Sequence, residues 1–231
     1  MIEIRLRVGK QRILASPVGL ILVDDFTQSA PLGKIRAKLE RQDEQDPSVW
    51  IPLDVRPVVT LGGLLVFPGL NRHPFPQNGE PKRMFRVRLS AEFYRVYPPT
   101  EDGYRFEAPA FNDVHPPPNM PPRLQVILLP AAHYPFPAEV PVLRGQVVDA
   151  TTKAPLKDAE VAEDNRQRAL TDERGEFALP LHRAQTGVVG AVIGGVVGVV
   201  LPIDASYGGR VKTTPVHVPS QLGRNLRIEI P

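Results

Sequence analysis

The sequence predicts an all-β protein, two tandem antiparallel β-sandwich domains joined by a proline-rich linker. Three observations lead there. Prolines and glycines, 27 and 18 of 231 residues, make up nearly a fifth of the chain. Proline lacks a backbone donor and clashes with the preceding turn, so this density argues against helices. Many short apolar runs lie between these breaks, several alternating with period two. One pattern also occurs twice: Val23-Asp24-Asp25-Phe26-Thr27-Gln28-Ser29-Ala30-Pro31-Leu32 aligns without a gap on Val147-Val148-Asp149-Ala150-Thr151-Thr152-Lys153-Ala154-Pro155-Leu156. Thr60…Gly63-Leu64-Leu65-Val66-Phe67-Pro68 likewise answers Thr171-Asp172-Glu173-Arg174-Gly175-Glu176-Phe177-Ala178-Leu179-Pro180. Such a repeat points to two copies of one small domain, and the chain has room for two of about 100 residues each.

The first domain is expected over 1–98. Residues 2–8 alternate, with Ile2, Ile4, Leu6 and Val8 on one face and Glu3, Arg5 and Arg7 on the other. A continuous apolar strand covers 18–23, and a half-polar one 33–40. The charged loop 41–48 precedes extended structure at 50–55, and 58–67 turns at Gly62-Gly63. Residues 84–96 form the best amphipathic strand, with Phe85, Val87, Leu89, Ala91 and Phe93 inward and Arg86 and Arg88 on a solvated face.

Residues 99–141 are expected to be the linker, with one strand near 124–129. The stretch 98–141 holds 12 prolines, which favour extended polyproline conformation and stiff spacing. The second domain is expected over 142–231, starting at Val142 and ending on the alternating strand 226–230.

Composition sets limits on partners. The net charge is +3, and the densest basic run, Lys82-Arg83…Arg86…Arg88, alternates with apolar residues. A nucleic-acid binder would gather its basic charge on one element with reader residues nearby, so no nucleic-acid partner is expected. With no cysteine, disulfides and thiolate metal sites are excluded. The N-terminus reads as a strand rather than a signal peptide, so synthesis in a reducing cytoplasm is expected, with release only as part of a larger particle.

The run Arg144-Gly145-Gln146-Val147-Val148-Asp149, then Ala154-Pro155-Leu156-Lys157-Asp158-Ala159-Glu160-Val161, then Thr171-Asp172-Glu173-Arg174-Gly175-Glu176-Phe177 resembles the carboxypeptidase regulatory-like domain. The resemblance covers about 40 residues, 142–181, with a looser copy over 18–68. It implies a seven-stranded sandwich of transthyretin-like type, serving as a structural, adhesive or spacer module. The motif also has its own physics. Asp149 and Thr151 are placed to accept backbone N–H bonds at a turn, and Pro155 fixes φ entering the next strand. Asp172 opens a hairpin that Gly175 closes at positive φ, and Phe177 anchors the core. The first copy keeps Asp25, Thr27, Pro31, Leu32, Gly63 and Pro68.

No catalytic constellation is present. His73, His115, His133, His182 and His217 are scattered singly, without the paired spacing that a metal site uses. The iron ligands of the intradiol dioxygenases, which share this sandwich type, are therefore not expected. Nor is the C-terminal Tyr-Arg-Gly-Ser run of the transthyretin-like hydrolases. No nucleophile elbow, phosphate loop or cofactor motif occurs. Asp24-Asp25 and Asp113…His115 read as solvated turns rather than ion sites.

One segment stands apart. From Ala184 to Ile203 there is no charge, and 187–201 is almost wholly glycine and valine. Three readings are open: a hairpin turning at Gly194-Gly195 and joining the core or an interface, a hairpin that protrudes into a partner or lipid, and a membrane helix with its glycines on one face. Valine favours strand and glycine weakens a helix by about 1 kcal/mol each, which puts the hairpin first. Its expected interface residues are Val188, Val189, Ile193, Gly194, Gly195, Val196, Val197 and Val199.

The function expected is that of a non-enzymatic structural or connector subunit, pairing with other protein subunits as a homo- or hetero-oligomer. A phage-tail-like or contractile injection particle would suit it. One alternative is a carbohydrate- or protein-binding adhesion module with Trp50, Phe67, Tyr94, Tyr97 and Tyr104 as a stacking platform. A second is a membrane-tethered protein held by 184–203.

Overall fold

The computed structural model describes residues 2–8, 10–73, 82–99, 102–112, 123–163, 167–181, 191–193, 196–218 and 225–231. Among them are nineteen strands and no helix. The chain divides into two compact units. One comprises Met1–Asp24, Gln28–Glu92 and Val96–Leu128, the other Asp25–Thr27, Phe93–Arg95 and Leu129–Pro231.

The alternating N-terminus forms an antiparallel hairpin, β1 (Ile2–Val8) with β2 (Lys10–Ser16). Then come β3 (Gly19–Asp24), β4 (Ile35–Gln42), β5 (Trp50–Leu53), β6 (Val58–Val59) and β7 (Leu64–Val66). After these follow β8 (Arg83–Ala91), β9 (Tyr94–Tyr97), β10 (Tyr104–Ala108) and β11 (Arg123–Pro130). They build two sheets, β10-β8-β4-β5 and β6-β7-β3-β11-β9. The expected strand over 84–96 breaks at Glu92-Phe93, so Phe93 is only half-buried and Tyr94 takes the inward place.

The second unit uses β12 (Val142–Asp149), β13 (Glu160–Glu163), β14 (Gln167–Leu170) and β15 (Glu176–Pro180). Its later strands are β16 (Ala191–Ile193), β17 (Val196–Tyr207), β18 (Arg210–Val218) and β19 (Leu226–Ile230). Leu143, Val147, Phe177 and Ile228 from one sheet enclose a core with Val161, Ala169, Ile203 and Val216 from the other. Inward residues alternate with outward ones along β19 and most of β12, as face-to-face sheets require, whereas Phe177–Pro180 of β15 are buried throughout.

Seven strands of each unit share one wiring. In the first, β3 pairs antiparallel with β7 and parallel with β11. In the second, β12 pairs antiparallel with β15 and parallel with β19. Facing these, β4 pairs with β5 and β8, and β8 pairs with β10. Correspondingly β13 pairs with β14 and β17, and β17 pairs with β18. Within these seven strands, one parallel pair per unit is the departure from antiparallel order.

The backbone hydrogen bonds carry the repeat further and correct its register. Asp24 N–H donates to Ser29 and Gln28 N–H to Asp24, as Asp149 N–H donates to Ala154 and Lys153 N–H to Asp149. Gln28 and Lys153 both have positive φ, 55° and 59°. The structural counterpart of Asp149 is therefore Asp24, not Asp25: the gapless sequence alignment is one residue out across this turn. In the second half Gly63 matches Gly175 as aligned, but Thr60 stands in the place of Asp172 rather than Thr171. Leu64 N–H donates to the Thr60 hydroxyl where Glu176 N–H donates to the Asp172 carboxylate.

The linker expected over 99–141 needs revision. Its residues supply β10, antiparallel to β8, and β11, parallel to β3. Its prolines hide an alternating strand, Tyr104-Arg105-Phe106-Glu107-Ala108, whose Phe106 and Ala108 are buried. The proline triplet Pro116-Pro117-Pro118, with Asp113 and His115, lies outside the described residues.

Candidate functional site

The turn residues are placed first, because they set the strands. Asp149 Oδ1 accepts from Thr151 N–H at 2.9 Å, Thr152 N–H at 2.8 Å and the Thr152 hydroxyl at 3.2 Å. Thr152, rather than Thr151, supplies the second accepting side chain, to Ala154 N–H at 3.3 Å. Pro155 bridges to Val148. Asp172 Oδ1 accepts from Arg174 and Glu176, and Gly175 closes that hairpin at φ 73°. In the first unit Gly63 does the same at φ 75°, against Ala30 and Pro31. Asp25 and Thr27 fall in the short stretch that belongs to the second unit.

Sequence reasoning missed Thr171, which is fully buried. Its hydroxyl donates to Leu156 C=O at 2.5 Å and accepts from Ala159 N–H at 2.8 Å, pinning the loop into β13. It also missed the β17–β18 hairpin at Gly208-Gly209, with φ 56° and 80°. A Gly-Gly pair between strands is itself a hairpin signal.

The Thr152 N–H, the Arg210 guanidinium and the Thr151 N–H hold the Asp149 carboxyl at about 2, below its ordinary 3.8. A depressed folded-state value stabilises the fold above the ordinary pKa, and that stabilisation is lost as pH falls from about 4 to about 2. Asp149→Asn should therefore melt lower at pH 7 and show a flatter melting curve against pH across this window, by circular dichroism.

The aromatic residues considered for a stacking platform do not assemble one. Phe67 and Tyr94 are core residues. Tyr104 is half-buried, its hydroxyl donates to Tyr97 C=O at 3.3 Å, and burial pushes its pKa up to about 12. The Arg86 guanidinium lies 4.3 Å from the Trp50 ring centre and that of Arg105 lies 5.5 Å away. Arg86, expected on a solvated face, is buried beside Glu40 at 2.5 Å. Glu40 draws in Arg88 at 3.3 Å and Lys38 at 3.8 Å as well. A guanidinium stacks on indole through cation–π attraction, so Trp50 serves an internal ladder of this sheet. Among the described residues, no group of three or more His, Asp or Glu is placed to hold a metal ion.

The Gly/Val segment forms strands wherever it is described. Ile193 ends β16, and Val196, Val197 and Val199 belong to β17, paired Ala191↔Gly198 and Ile193↔Val196. Val188, Val189, Gly194 and Gly195 lie outside the described residues. The membrane-helix reading of 184–203 is overturned for 191–193 and 196–203, which are extended, as their β-branched residues favour. No helix among the described residues is long and apolar enough to cross a membrane.

β17 has twelve residues and unequal partners. β18 runs beside Val199–Tyr207, whereas β13 covers only Ile203–Ser206. Because both partners flank Ile203–Ser206, they lie on opposite edges. The stretch 199–202 is therefore open on the β13 side among the described residues. Its base is anchored, with Leu201, Ile203 and Ala205 buried, while Pro202 is exposed. In the first unit a second apolar edge is exposed: β6, with Val58 and Val59, and Leu61 beyond it.

No family model matches the chain, and no curated protein matches it. Among solved structures it is similar to the shaft pilin SpaA of Lactobacillus rhamnosus GG (D295N mutant), at 9% identity and TM-score 0.32, covering 92% of this chain and 95% of that one. It is also similar to a streptococcal ancillary pilin, at 10% identity and TM-score 0.25, covering 92% of this chain and 61% of that one. Likeness at this level carries no argument about function.

Proposed function

We propose that this chain is a non-enzymatic structural subunit that pairs with a second copy of itself by strand addition along β17. The observation that supports the reading is that, among the described residues, 199–202 is paired only by β18 and its opposite edge carries no strand. From Val196 to Leu201 that strand has no charged residue. Exposed strand edges are normally guarded by charge, proline or a bulge, because unpaired N–H and C=O groups recruit another strand. Here the guard is absent until Pro202. Strand addition supplies main-chain hydrogen bonds and lets alternate side chains enter the partner's face.

The resemblance over 142–181 and the matching wiring of the two sandwiches are consistent with a connector subunit. A phage-tail-like or contractile injection particle is the finer assembly class that this reading suits.

Val200→Lys tests it, since a charge placed on a strand edge guards it against pairing with a second strand. Size-exclusion chromatography with light scattering should show concentration-dependent oligomers for the natural chain and a folded monomer for the variant. A natural chain that stays monomeric at every concentration sinks the reading.

A further inference from the structure

We propose that a cavity in the first unit binds a small organic carboxylate. The starting observation is a misplaced charge. Arg41 in β4 shares the face of Leu39 and lies opposite Phe85 across the ladder, and both neighbours are 1% exposed. A guanidinium thus stands on the apolar side of the sheet, and its Nε is buried without a hydrogen-bond partner. No carboxylate among the described residues pairs with Arg41.

Arg41 opens into a cavity of about 200 Å³, whose other basic side chains are Arg72, His73 and Arg83. Arg72 and His73 have partners of their own, and Arg83 is offset by Glu44 at 3.2 Å. Among the described residues no acidic side chain lines the cavity, and Leu53, Val55 and Leu70 form an apolar wall. A buried donor left unpaired is costly, and more so when charged. A carboxylate satisfies a guanidinium with two parallel bonds in the plane of its fork. The apolar wall favours a ligand whose carboxylate sits on a short hydrocarbon body over a bare inorganic anion.

The test is calorimetric titration of the full chain with butyrate and with acetate at constant ionic strength, repeated on Arg41→Gln. The expected results are saturable butyrate binding, tighter than acetate, and weakened by about tenfold or more in the variant. In carboxylate-free buffer the variant should melt no lower than the natural chain, because no ion pair with a carboxylate among the described residues is lost with the Arg41 guanidinium and its buried Nε has no partner. Absence of saturable butyrate binding overturns the proposal, as does equal binding by Arg41→Gln or no preference over acetate. A variant that melts well below the natural chain also overturns it, since the chain itself would then be supplying the partner.

Discussion

Gly175→Val is expected to unfold the second sandwich or bring it close to unfolding. Gly175 sits at φ 73°, where an L-residue costs roughly 1–2 kcal/mol from backbone sterics alone. The larger effect is the contact. A Cβ there would lie 2.4 Å from the Val147 carbonyl oxygen and 3.2 Å from both Leu156 N and Pro155 Cβ. None of these groups is free to retreat. Val147 donates to Gly175 C=O at 2.8 Å, and its own carbonyl accepts from Leu156 N–H at 3.0 Å. Relief would break the junction where the first strand, the Pro-Leu turn and the Asp172 hairpin meet. We expect a loss of about 4 kcal/mol or more, at the exceptional end for a point change. Gly69 is the internal control: its φ is 79°, yet nothing lies within 4 Å of the added Cβ. Gly69→Ala should therefore cost only the backbone share, about 1–2 kcal/mol. Urea denaturation of the two variants checks both the size and the difference.

Glu40→Leu should cost about 3–5 kcal/mol, the usual consequence of removing one member of a buried ion pair. Glu40 and Arg86 have side chains only 7% exposed, and their contact is 2.5 Å. Without Glu40 the Arg86 guanidinium keeps Trp50 at 4.3 Å and a loose Asp102 carboxylate at 3.8 Å, itself 70% exposed. Neither replaces a buried counter-ion. Adding Arg86→Leu should recover much of the loss, because two apolar side chains of similar volume remove both desolvation penalties. A double-mutant cycle by chemical denaturation measures the coupling directly. Additive losses would show that the pair is not acting as a unit.

Much of this architecture is legible in the sequence because local signals agreed with one another. The alternation of 2–8, the Asp172–Gly175 hairpin and the buried Phe177 follow from period, turn chemistry and size. What was not legible depends on register between distant strands. Arg86 reads as solvated from its own strand, and only the pairing Glu40↔Arg86 buries it. Trp50 reads as a free platform until β10 brings Arg105 beside Arg86. The one-residue slip between Asp24 and Asp25 arose because side chains aligned at Asp25 while the backbone bonds repeat from Asp24. The strand at 104–108 was hidden by the prolines around it, although its own alternation was present. Arg41 gave no signal at all, since its exceptional place comes from facing Phe85 across the sheet.

The most direct test of the central claim uses a property of the sequence, its lack of cysteine. A single cysteine introduced by Val200→Cys is the unique thiol of the chain, and one introduced by Val49→Cys, on an exposed loop, serves as the control. Each is treated with a short bifunctional maleimide. Paired strand edges bring facing side chains to about 5 Å, so the account predicts covalent dimers from Val200→Cys and none from Val49→Cys. Equal crosslinking from both, or none from either, would contradict assembly along β17.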